Sequence, residues 1–256
     1  MIITLVSSVK TSLPIIKGGV ILSEGFSKRH GIVTLANSFD TSISSENLNL
    51  ENYLSENQIN VDLISLNKKL SEIHEICETM EASFLIIQLS SAKNRVLKSY
   101  LQACRELRIP YLFVKDSFDN IAFDKVIVPV NFLIEEIEKA QFAAAFGRFL
   151  NSEITLLQAK DYGTRAAGNV AKIKSVIEKF DIKYKLLQGT MDSFKIEFDA
   201  LRYATEHEAN LVISSSSREY GLDDIVFGPK EVHLLNKSSV PIMFINPRGD
   251  LYVLCE

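Results

Sequence analysis

Short apolar runs rich in Ile, Val and Leu punctuate the chain, each bounded by polar residues. Runs of this kind predict buried strands, as in a parallel sheet covered on both faces. In the first half they are Ile2–Val6, Ile32–Leu35, Val61–Ile64, Phe84–Ile87 and Tyr111–Val114. In the second half they are Val126–Val130, Ile154–Leu157, Tyr184–Leu187, Leu211–Ile213 and Ile242–Ile245. Between them, apolar residues recur every three or four positions, which predicts helices over Glu135–Leu150, Ala166–Phe180, Phe194–His207 and Arg95–Leu107. Asn151 suits a C-terminal stop, and Asp192 and Ser193 are N-cap candidates before Phe194. Gly18 and Gly19 fall inside another helix candidate and read as a packing or kink site. Ser38–Asn60 is polar and weakly patterned, and reads as a loop or a poor helix.

The two sets of strands run in matching order, so the chain contains its own repeat. SFLIIQLSS pairs with NLVISSSS, GIVTLA with EITLLQ, and IPYLFV with VPIMFI, including the proline at the strand entrance. The offset widens between the fourth and fifth strands, where the second half carries extra residues around Ser214–Gly228. Strand and helix alternate twice over, which demands parallel sheets with helices on both faces. The expectation is an α/β protein of two tandem, doubly wound, five-stranded parallel-sheet domains, residues 1–118 and 122–256, joined through the short polar stretch Lys115–Asp124.

Composition narrows the functions. With 46% hydrophobic and 23% charged residues, the 256-residue chain is ordinary globular material with enough length for a sizeable core. A net charge of −4 supplies no basic excess for nucleic acid or anionic membrane. No apolar run approaches the roughly 20 residues that span a bilayer. MIITLVSSVKTSLP lacks a basic flank and reads as a first strand, not a signal peptide. Cys77, Cys104 and Cys255 are odd in number and form no CxxC, which argues against disulfides or a zinc site and for a reducing, cytoplasmic setting.

The second half resembles the universal stress protein domain over nearly its whole length. KVIVPVN at the first strand, FGRFLNSEITLL, LLQGTMDSFKIEFDALRYATEHEANLVIS and FGPKEVHLLNKSSVPIMFINP carry the resemblance in order. The first half resembles the family mainly through the repeat. The resemblance implies the adenine nucleotide alpha hydrolase-like fold, and in many members a site for ATP or a related nucleotide. That site follows the fourth strand as Gly, two residues, Gly, nine residues, Gly, then Ser or Thr. Such a loop lets backbone N–H groups at a helix N-terminus cradle phosphates. Counted back from Gly228, Arg218 and Ser215 stand at the two earlier glycines, and Pro229 replaces the hydroxyl residue. Asn131, followed by Phe132, stands where the family usually has Asp after the first strand. The first half runs QLSSAKNRVLKSY into a helix with no glycine loop.

The nucleotide-like pocket implied by the resemblance comprises Val128, Pro129, Asn131, Ser214, Ser215, Ser216, Arg218, Gly228 and Pro229. Each has a plainer alternative. Ser214–Arg218 reads either as an anion pocket or as a polar loop capping a sheet edge, and Asn131 either as a nucleoside contact or as a helix N-cap. His74 and Cys77 share a helix face without a second ligand cluster, and His207 suits a helix C-terminus. No G-x-S-x-G, Walker or HExxH template occurs, and no catalytic residue is assigned. Three readings follow. One is a non-enzymatic stress-response protein with impaired or absent ATP binding, acting on a protein partner or a small ligand. Another is an adenine-nucleotide sensor holding ATP or AMP in the second half only. The last is an interaction scaffold. The family also implies pairing through the last strands, IPYLFV and VPIMFI, as an internal pseudo-dimer. The tail run Leu251–Leu254 is placed to add a strand or reach a second subunit in a homodimer.

Overall fold

A computed structural model describes residues 1–35, 43–66, 68–90, 93–217 and 228–248. Arg218 and the tail run Leu251–Leu254 lie outside the described residues. The chain divides into two units, Met1–Ile121 and Ala122–Glu256.

In the first unit the strands are β1 (Ile2–Leu5), β2 (His30–Leu35), β3 (Asp62–Leu66), β4 (Phe84–Leu89) and β5 (Tyr111–Lys115). They lie in the order β3-β2-β1-β4-β5, all parallel. All four residues of β1 and all six of β4 are buried, as continuous apolar strands covered on both faces must be. The helices are α1 (Leu13–Gly25), α2 (Ile43–Glu56), α3 (Ile73–Thr79) and α4 (Asn94–Cys104). The weakly patterned segment 38–60 therefore holds a full helix from Ile43 onward.

Glycine is obligatory at one point of α1. A Cβ on Gly19 would stand 2.4 Å from His30 Nε2 and 2.7 Å from Thr4 Oγ1. The helix lies flush on the sheet over a buried polar pair, His30 Nε2 and Thr4 Oγ1 at 2.8 Å. The packing reading of this glycine pair is the one the structure adopts.

The second unit repeats the plan. Its strands are β6 (Lys125–Val130), β7 (Glu153–Gln158), β8 (Tyr184–Gln188), β9 (Leu211–Ser215) and β10 (Ile242–Ile245). Their order is β10-β9-β6-β7-β8, again all parallel, and matches the first unit strand for strand. Its helices are α5 (Lys139–Phe149), α6 (Arg165–Glu178), α7 (Ile196–Glu206) and α8 (Lys230–Lys237).

The helix expected over Arg95–Leu107 already ends at Cys104, and two helix starts depart further from the sequence expectation. The stretch expected as one helix over Glu135–Leu150 opens as a 3₁₀ segment, Ile134–Glu138, before α5 begins. The tighter winding brings Glu136 inward, and Asn151 ends the element in the left-handed conformation with φ 55°. Asp192 and Ser193 do not cap α7, whose N-cap is Lys195. Asp192 Oδ1 accepts the Phe194 N–H at 3.1 Å, while Ser193 Oγ donates to Asp161 and accepts the Phe132 N–H at 3.0 Å. Their polar atoms close the loop ahead of the helix instead.

Candidate functional site

In both units the sheet order reverses direction at the first and fourth strands, and open α/β sheets receive ligands at that switch point. In the second unit the two strands are β6 and β9. Their ladder contains only Val126↔Leu211 and Ile127↔Val212. Pro129 has no N–H to continue it. Beyond that point β6 follows β7 as far as Val130↔Gln158, while β9 follows β10 as far as Ser215↔Ile245. The strands diverge and leave a cleft of about 260 Å³, bordered by Asn131, Glu136, Ser215, Ser216, Ser217 and Lys230 among others. In the first unit the corresponding ladder keeps all of Ile2–Leu5 against Phe84–Ile87.

Of the sequence-derived residues, Asn131, Ser215 and Ser216 border this cleft. Val128 and Pro129 are buried in β6 beneath it. Asn131 follows the strand, but its Oδ1 accepts the Leu133 N–H at 2.8 Å, which closes an Asx turn. Ser214 is fully buried, with its hydroxyl near Ser215 O. Ser216 Oγ pairs with Asn246 Oδ1 at 2.6 Å. Gly228 has φ 86°, a conformation only glycine holds easily. Pro229 then stands as the N-cap of α8.

The residues that organise the cleft are ones the sequence did not single out. Glu136 is fully buried, and its carboxylate sits on the donors of the switch point. Oε2 accepts the Asn131 N–H at 3.1 Å and the Lys139 ammonium at 2.7 Å, and Oε1 accepts the Ser215 hydroxyl at 2.8 Å. Lys139 is equally buried and also donates to Pro129 O at 2.7 Å. Glu231, on the first turn of α8, takes the Ser217 N–H with Oε1, and its buried Oε2 has no hydrogen-bond partner among the described residues. Lys230 lines the cleft but donates to Glu197 at 2.6 Å. Burial alone would lower its pKa; the carboxylates of Glu197, and then of Glu231 and Glu136, outweigh that and raise it.

The first unit closes its switch point with Gln88, which stands in β4 where Ser215 stands in β9, the fifth residue of its strand. Gln88 is buried. Its Oε1 accepts the N–H groups of Ser7 and Ser8 at 2.8 and 3.0 Å. Its Nε2 lies 2.8–3.0 Å from Ser8 O, Thr11 Oγ1 and Asp116 Oδ1. One amide thus occupies the N–H groups after β1 that a ligand would use.

The remaining candidates are quiet. Cys77 is buried and its thiol is pushed up to about 12 by burial. His74 faces Glu78 at 3.5 Å. His207 follows α7 and stacks on Tyr203 with ring centroids 4.0 Å apart. Among the described residues no group of three or more His, Cys, Asp or Glu side chains is arranged to hold a metal ion, and no helix is long and apolar enough to cross a membrane.

No protein-family model and no curated protein matches the sequence. Solved structures do match the fold. The chain is similar to a universal stress protein from Archaeoglobus fulgidus DSM 4304, at 14% identity and TM-score 0.67, over 97% of each chain. It is similar to a functionally unknown protein from Pseudomonas aeruginosa PAO1, at 12% identity and TM-score 0.64, over 99% of this chain and 94% of that one. The cytoplasmic domain of a prokaryotic cation chloride cotransporter matches at 12% identity and TM-score 0.56, over 95% and 93%. The fold is that of a universal stress protein. One fold thus serves a stress protein and the cytoplasmic part of a transporter, so function has to be read from the site.

Proposed function

We propose that this chain is a universal stress protein-type, non-enzymatic protein of the cytoplasm whose two switch points do not take ATP, and which acts on a protein partner or a small ligand. One observation carries the reading: at each switch point donors are taken by a side chain of the same unit, Gln88 in the first and Glu136 in the second. The backbone and hydroxyl donors that would meet a phosphate already meet an amide or a carboxylate. A triphosphate entering the second cleft would face the buried carboxylates of Glu136 and Glu231 at close range, where like charges repel strongly. The cations there are already engaged, Lys139 by Glu136 and Lys230 by Glu197. Cys77 and Cys104 are buried thiols outside any disulfide, in keeping with a reducing compartment.

A nucleotide sensor with one site in the second unit is the competing reading, because there the ladder ends early and leaves a cleft. Calorimetry with ATP, ADP and AMP, with and without Mg²⁺, separates the two. No binding at micromolar concentration is expected for any of the three. One micromolar site per chain, abolished by Lys230→Ala or Arg218→Ala, would replace this proposal with the sensor.

A further inference from the structure

A second depression, of about 480 Å³, lies between the loop after β6 and the exposed face of α6. One side is apolar: Phe132, Leu133 and Ile134. Leu133 and Ile134, at the end of the loop and the start of the 3₁₀ segment, remain 42% and 43% exposed, an adjacent apolar pair open to solvent. Phe194, 75% exposed, packs edge-on against Phe132 with centroids 5.5 Å apart and extends the apolar surface. The other side is Arg165, Gly168 and Lys172, spaced to share one helix face. Asn169 holds the two sides in register, its Nδ2 donating to Asn131 O at 3.0 Å and Leu133 O at 2.7 Å.

Two features mark this depression as more than an irregular surface. Arg165 and Lys172 have no ion-pair partner among the described residues, although most other basic groups on α6 and α7 have one. With Glu135 also on the border, two cations face one carboxylate. Gly168 is the second feature. It sits inside a helix, where glycine is among the poorest formers. A Cβ there would meet nothing within 4 Å, so no neighbour requires its absence. Gly168 lines the groove, and a longer side chain there would extend into open space.

We propose that this groove binds a small amphiphilic anion. The apolar or aromatic body rests on Phe132, Leu133 and Ile134, and a carboxylate or phosphate monoester lies between Arg165 and Lys172. A guanidinium fork suits either head group, and the volume falls within the range of small-molecule sites. The groove shares Leu133 and Glu135 with the switch-point cleft, but its two cations stand on α6, which does not line that cleft, so the inference is tested separately from the nucleotide reading.

The test is calorimetric titration of the full chain with 1-naphthoate and 1-naphthyl phosphate, and with 1-naphthylmethanol as the neutral counterpart. One site for at least one anion is expected, with the alcohol at least about tenfold weaker, a difference of roughly 1.4 kcal/mol. Arg165→Gln with Lys172→Gln should weaken the anion about tenfold and leave the alcohol unchanged. Gly168→Leu should abolish binding while the melting temperature holds or rises, which separates a blocked groove from an unfolded protein. The two anions distinguish a carboxylate from a phosphate preference. Equal binding of acid and alcohol, unchanged binding in Gly168→Leu, displacement of the probe by ATP, or no binding up to millimolar concentration would each overturn the proposal.

Discussion

At the scale of single residues, the most informative side chain is His30. Its ring is buried under Gly19, Nε2 pairs with Thr4, and Nδ1 has no partner among the described residues. Burial lowers its pKa from 6.5 to about 4, against a smaller opposing pull from Asp62. The folded protein therefore holds His30 neutral where the unfolded chain takes up a proton. The stabilisation is fully present above pH 6.5 and is lost as pH falls towards 4, a change of roughly 3 kcal/mol at about 1.4 kcal/mol per unit. Urea unfolding at intervals across that window should show the fall, and His30→Gln should flatten it. An equally steep fall in the variant would assign the pH dependence to the carboxylates. Sequence reading located the Gly18-Gly19 packing point but not its cause. Nothing in a linear pattern says that a histidine far along the chain will lie under a helix.

At the scale of elements, the strands were the most legible part, since a strand buried on both faces must be apolar throughout. All ten apolar runs became strands, each within two residues of its expected bounds. The helix ends were less legible because they answer to tertiary contacts. The Glu135–Leu150 pattern hides a 3₁₀ opening because Glu136 looks like a surface residue in sequence, yet it turns inward to meet Lys139, Ser215 and the Asn131 N–H. The partners come from two strand ends and a helix, and only the folded sheet brings them together. Breaking this pair should be costly. Lys139→Met leaves the Glu136 carboxylate buried without its counter-ion and is expected to lose roughly 3–5 kcal/mol. The paired replacement Glu136→Leu with Lys139→Met should recover much of that loss, because it removes both desolvation penalties. Chemical denaturation of the single and double variants measures the difference. A double variant as unstable as the single one would show that Glu136 also holds the loop through Asn131 and Ser215.

At the scale of the whole molecule, the repeat read from the sequence reappears as one strand order used twice. Each unit has its own buried strands and helices, and residues 122–256 expressed alone should unfold cooperatively, as judged by coincident far- and near-ultraviolet circular dichroism. Separate transitions would show that its core is not self-sufficient. The candidate site was legible only in outline. The lost glycines pointed to the sheet edge at the switch point, where Asn131, Ser215 and Ser216 border a cleft. What the motif could not convey is that the donors had found partners within the protein, because a motif records which residues are missing and not what has moved into their space. Gln88 shows what that substitution means. A diffusing ligand must reach a concentration near its dissociation constant to hold two loops together, and its grip fades when its supply runs low. Gln88 is tethered to the strand it serves, so it is supplied at a fixed effective concentration that no metabolic fluctuation can dilute. The loop after β1 is held in the first unit as if permanently saturated.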